Sequence, residues 1–125
     1  MRRRCRLAGR GRAARGRAEV YRLADEAILA GHGIGRVTED DAVLVVSELV
    51  THLKGVCVVE LALTGGEVAV RVEARGARLP SPARSGQRVC WWEVVTRLAH
   101  DITVDRATVA GGVVVLARIG PDAGP

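Results

Sequence analysis

Hydrophobic positions recur along the chain with two different periods, and each change of period marks a new element. From about Arg12 to Ala30, Val20, Leu23, Ala24, Ala27, Ile28 and Leu29 fall at helical spacing among strong helix formers. This predicts a first helix, ended by Gly31 and Gly33. Thr38 is suited to cap a second helix, with Glu39, Asp40 and Asp41 in the turn where the helix dipole favours acids. A rotation of about 100° per residue puts Val43, Val46, Leu49, Val50 and Leu53 on one arc and Glu48 with His52 on another. This helix runs to about Lys54 and stops at Gly55. The period then drops to two. Residues 56–63 and 67–74 read as strands, joined by the tight turn Thr64-Gly65-Gly66-Glu67. Val68, Val70 and Val72 alternate with Glu67, Ala69, Arg71 and Glu73, which leaves one face half exposed. Residues 75–87 are a loop broken by Pro80, Ser81 and Pro82. A third helix follows over about Arg88–His100, then strands over 101–107 and 113–119 joined through Ala110-Gly111-Gly112.

Runs of adjacent strands set against helices imply a two-layer α/β sandwich of the α+β class. The expected sheet is mixed or antiparallel, has four to five strands and carries about three helices on one face. A length of 125 residues supports one core and excludes a second domain. Val occurs 20 times and Phe not at all, so β-branched aliphatics fill that core. Cys5, Cys57 and Cys90 are far apart and odd in number, which argues against a disulfide framework or structural zinc. No apolar run reaches the roughly 20 residues of a membrane helix, and the arginine-rich start lacks a secretory signal's apolar stretch. A cytoplasmic protein without a membrane partner is the expectation.

The net charge of +5 hides an asymmetry. Residues 1–18 hold eight Arg and no acid, whereas residues 19–125 hold eleven Arg plus Lys against fourteen Asp plus Glu, or −3. The start therefore reads as a solvated arm over residues 1–18, with a short edge strand at Cys5-Arg6-Leu7-Ala8, before a domain at 19–119 and a flexible tail at 120–125. An arm of this kind also suits nucleic-acid phosphates, though the acidic body offers little for base stacking beyond Tyr21, Trp91 and Trp92.

The stretch DDAVLVVSELVTHLKG, residues 40–55, closely resembles the N-box helix of histidine-kinase-like ATPase domains, in the small subgroup related to anti-sigma-factor serine kinases. The likeness continues in order through LAGHGI (29–34), VEARGARLP (72–80), VVTRLAHDITV (94–104) and AGGVVVLARI (110–119), and covers about residues 19–119. It implies a nucleotide site, and several positions of that site depart from the pattern. Glu48 matches the glutamate that acts as base or orients water, while His52 stands where an Asn would hold Mg²⁺. An imidazole is a poor substitute for that hard oxygen ligand. Glu48 and His52, four apart, could share zinc, but two ligands do not make a site, and a local hydrogen-bonded pair is the simpler reading. Ala74 takes the place of the adenine-binding Asp, and Glu73, one residue away, points to the other face unless the strand bulges. Gly76 leaves the loop some freedom. Val89 and Trp91 stand at two glycines of the phosphate loop, with Gly86 nearby as a substitute in a shifted loop. Gly111 and Gly112 match the last motif but are followed by Val113-Val114 in place of Lys-Thr.

The resemblance thus implies a retained scaffold with a damaged nucleotide site. The expected function is a non-catalytic regulatory module that binds a sigma factor or an anti-sigma antagonist, with no cofactor and a dimer permitted. Two alternatives stand beside it. One is an active ATP-dependent serine kinase acting on an anti-sigma antagonist, with Mg-ATP as cofactor and Glu48 as base. The other is nucleic-acid binding through the basic arm. The adjacent Trp91 and Trp92 point about 100° apart on a helix, so either one is core and the other partly covered by the loop at 75–87, or one plugs the vacant cleft or anchors a partner.

Overall fold

The computed structural model describes residues 1–53, 55–75, 90–106 and 112–123. Its elements are β1 (Arg2–Leu7), α1 (Arg12–Leu29), α2 (Arg36–His52), β2 (Cys57–Thr64), β3 (Glu67–Arg75), α3 (Cys90–Leu98), β4 (Asp101–Arg106) and β5 (Gly112–Ile119). The strands form one antiparallel sheet in the order β1-β2-β3-β5-β4, and the fold is α+β, with the three helices on one face. Val59, Leu61, Val68, Val70, Val72, Val115 and Ala117 point from the sheet into the core, against Val20 and Leu23 of α1, Val45, Val46, Leu49 and Val50 of α2, and Val95 of α3.

Local chemistry sets the element ends. Gly31 takes φ +79° after α1, its N–H donates to Ile28 O, and His32 N–H reaches back to Ala27 O. This pair of bonds satisfies carbonyls that the helix end leaves free. Gly65 and Gly66, at φ +58° and +81°, give the β2–β3 hairpin the positive φ that its two-residue turn needs. The register between β2 and β3 runs without interruption from Cys57↔Ala74 to Thr64↔Glu67.

Several expectations need correction. Thr38 is not the N-cap of α2: the helix starts at Arg36 after Gly35, and Thr38 lies buried within it. The cap comes from Asp122, beyond β5. Its carboxylate accepts from the N–H of Thr38 at 2.6 Å, from the Thr38 hydroxyl at 2.6 Å and from the N–H of Val37 at 3.2 Å. On α2 the core arc includes Ala42 and Val45, while Val43 is only half-buried. On α1, Ile28 and Leu29 are 68% and 88% exposed, because at about 100° per residue they turn away from the buried arc of Val20, Leu23, Ala24 and Ala27.

The arginine-rich start is not a solvated arm. Residues 2–7 are the edge strand β1, longer than the expected 5–8, and the boundary at residue 18 falls inside α1. Arg3 holds β1 under α1 through Glu19, at 2.7 Å, and through Glu26. Residues 76–89, on which most of the expected loop and the expected start of the third helix fall, and residues 107–111, on which the expected last turn falls, lie outside the described residues.

Candidate functional site

Glu48 and His52 share a face of α2 because 3.6 residues per turn stacks positions four apart. Glu48 Oε2 lies 3.3 Å from His52 Nε2, with both side chains partly open to solvent. Helix α3 then brings Trp91 flat against the imidazole, with ring centroids 4.8 Å apart and planes 8° from parallel. Trp92 meets Trp91 edge-on at 5.6 Å and 76°. Both tryptophans are half-buried against the core, so neither is wholly interior. The result is a carboxylate–imidazole–indole ladder bridging α2 and α3.

Ala74 is fully buried on the helix side of β3, between Cys57 and Val113 of the flanking strands. Glu73 faces the opposite side, 3.4 Å from Arg71, and β3 has no bulge to turn it round. Gly112 is the buried first residue of β5, opposite Arg75. Gly76, Gly86, Val89 and Gly111 lie outside the described residues. Of the expected site, then, Glu48, His52 and Trp91 come together on α2 and α3, while Ala74 and Gly112 sit at neighbouring strand ends.

These side chains do not fit a magnesium–nucleotide complex of the implied kind. Ala74 offers a methyl group where adenine would need a carboxylate. The one ring nitrogen of His52 aimed along the helix meets Glu48, and its ring face meets Trp91. Among the described residues no three of His, Cys, Asp and Glu are grouped so as to hold a metal ion.

Other charged groups are built into the fold rather than the ladder. Burial works to raise the Glu19 carboxyl, but the guanidiniums of Arg3 and Arg22 outweigh it and hold it below its ordinary value. The hydrogen bond to Glu19 in turn raises Arg3. The Thr38 hydroxyl and the backbone N–H groups lower Asp122. Burial, then the neighbouring Asp40, pushes Glu39 and Asp41 up. Ser47, beside Glu48 in sequence, accepts from Arg17 at 2.9 Å and makes no triad.

Sequence reasoning placed a short edge strand at Cys5-Arg6-Leu7-Ala8 but missed that it begins at Arg2 and sets Arg2, Arg4 and Arg6 on one face. That pattern becomes legible only once β1 is known to pair with β2. No family model matches the chain, and no curated protein matches it. No helix among the described residues is long and apolar enough to cross a membrane.

Proposed function

We propose that this chain is a regulatory protein-binding module of the histidine-kinase-like ATPase type that has lost ATP binding. The observation that carries the reading is the stack of Trp91 on His52. In register with the resembled family, these two side chains take the places of a phosphate-loop glycine and the magnesium amide. Here they lie against each other. The two-layer scaffold with its helices on one face is compatible with the resemblance, and the buried Ala74 supports loss of the adenine contact. The module works in the cytoplasm, without cofactor, by binding a sigma factor or an anti-sigma antagonist. Glu48 is then a relic of the base rather than a working one.

Calorimetry and tryptophan fluorescence with Mg-ATP test the reading. A lost hydrogen bond to a charged group costs about 1.5–3 kcal/mol, and about 1.4 kcal/mol is tenfold in affinity. Loss of the adenine and metal contacts together weakens a micromolar site to roughly millimolar or beyond. No saturable signal is expected. Saturation at tens of micromolar would replace this reading with that of an ATP-dependent serine kinase. Ala74→Asp with His52→Asn should not restore binding alone, whereas adding Trp91→Gly to the pair tests whether the indole fills the space.

A further inference from the structure

Strand β1 is an edge of the sheet, and its pairing with β2 fixes the direction of every backbone group on it. Met1 and Leu63 exchange hydrogen bonds in both directions, Leu63 N–H to Met1 O at 2.9 Å and Met1 N to Leu63 O at 3.4 Å. Opposed residues in an antiparallel ladder alternate between hydrogen-bonded and non-bonded pairs. In the register Arg3↔Leu61, Cys5↔Val59 and Leu7↔Cys57, these three pairs are therefore the bonded ones. The N–H and C=O of Arg2, Arg4 and Arg6 consequently point outward, away from β2, and none has a backbone partner among the described residues.

The same three residues turn their side chains to the open face of the sheet, where all are exposed. Their spacing is about 7 Å, two strand residues. Only Arg4 meets an acid among the described residues, Glu60 at 3.4 Å, and the Arg4 side chain is 71% exposed. Beside them is an open hollow of about 840 Å³, lined by three cations, Arg4, Arg6 and Arg75, and one acid, Glu73, over Cys5, Val56 and Val58. Among the described residues, backbone groups without a partner and the unpaired charges of Arg2 and Arg6 thus belong to one set of residues, with Arg4 only loosely held by Glu60. Arginines along an edge deter pairing with a second edge of the same kind, and they suit a strand of opposite charge.

We infer that β1 is the docking edge for an acidic, extended segment of a partner protein, which adds to the sheet as a sixth strand. In an antiparallel sixth strand, the residues bonded to Arg2, Arg4 and Arg6 carry their side chains on the same face, about 5 Å away. Acids at every second position pair with Arg2 and Arg6 and share Arg4 with Glu60. The intervening positions lie beside Arg3, Cys5 and Leu7 on the helix side, where Arg3 is already tied to Glu19 and Cys5 is half-buried, so small apolar residues fit there. This is strand addition to an exposed edge, in which the backbone supplies affinity and alternate side chains supply selectivity. The inference rests on the protein-binding reading above and names the chemistry of the partner.

The test uses the whole chain and a fluorescein-labelled ten-residue peptide of alternating Glu and Val. Its controls are an isomer with the five Glu in one block and a ten-residue oligothymidylate. The alternating peptide should bind saturably. It should lose about tenfold in affinity with Arg4→Glu plus Arg6→Glu, as cross-strand attraction becomes repulsion. Because both side chains are exposed, circular dichroism should report an intact fold. Bound peptide should also slow amide exchange at Arg4 and Arg6, while Arg3 and Cys5 are protected with or without it. Equal binding of the block isomer, or no gain of protection at Arg4 and Arg6, overturns strand addition. Tighter binding of the oligothymidylate overturns it in favour of a nucleic-acid surface. The opposite edge, β4, turns Asp101, Thr103 and Asp105 to the same face. Self-association abolished by Asp105→Arg would therefore make a second copy the occupant and overturn the inference. Mg-ATP titration separates the two levels. Failure of the peptide without ATP binding removes strand addition alone, whereas saturable ATP binding counts against the proposed function.

Discussion

Replacing Glu19 with Gln tests how β1 is held to the body of the fold. Glu19 lies on the inner side of α1, its side chain 11% exposed, and accepts from Arg3 Nε at 2.7 Å and Arg22 Nη1 at 2.6 Å. A partly buried hydrogen bond to a charged group contributes about 1.5–3 kcal/mol. The Arg22 side chain is 60% exposed, so that contact adds only about 0.2–1 kcal/mol. Gln keeps the volume and one acceptor oxygen but loses the charge, so the expected loss is about 2 kcal/mol, or roughly 6–10 °C in Tm at this chain length. The folded-state value of Glu19 lies below its ordinary one, so the carboxylate's contribution is present above the ordinary Glu range and fades as pH falls through the lowered value. Urea denaturation at pH 7 and at about pH 2.5 should show a gap between parent and Glu19→Gln that closes in acid. Amide exchange should locate the loss at Arg3 and Cys5, whose N–H groups face β2. A gap under about 0.5 kcal/mol at neutral pH, or one that persists unchanged in acid, would refute the electrostatic account and leave a packing effect.

Gly55→Ala should cost on the order of 2–4 kcal/mol in equilibrium unfolding, since Gly55 has φ +92° and a Cβ there would lie 2.7 Å from the Arg75 carbonyl oxygen. Asp122→Asn should lower Tm at pH 7. Because the Asp122 carboxyl is held below its ordinary value, that difference should vanish as pH falls through the lowered value, and thermal scans across acid pH would show it. His52→Ala should leave the fold intact but change the tryptophan emission of the Trp91–Trp92 pair, since it removes the ring stacked at 4.8 Å; an unchanged spectrum would refute the stack.

Local patterns were legible wherever a single element carries its own signal. The Gly65-Gly66 turn, the valine alternation of β3 and the Glu48–His52 spacing each need no knowledge of distant residues. What was hidden depends on long-range pairing. Strand β1 shows arginines rather than apolar residues at its open positions, and its partner β2 lies more than fifty residues away. The true cap of α2 is 84 residues from Thr38, so a good capping residue in sequence became a buried ligand of Asp122. The helical stripe of α1 was drawn too wide at Ile28 and Leu29, whose place around the helix lies off the arc of Val20, Leu23, Ala24 and Ala27. Trp91 meets His52 only because α3 docks on α2, a fact that neither segment encodes alone.

The order β1-β2-β3-β5-β4 has a consequence for how the chain is made. Synthesis delivers β5 after every other strand, yet β5 sits inside the sheet, between β3 and β4. Until residues 112–119 leave the ribosome, β3 presents an unpaired edge with Val68, Val70 and Val72 on its inner face, and β4 has nothing to join. The first 106 residues alone should therefore expose an apolar edge and be prone to aggregate rather than form a smaller stable domain. Premature stops or degradation from that side should yield insoluble fragments. Nascent-chain crosslinking would find chaperones on β3 up to the point at which β5 slots into place.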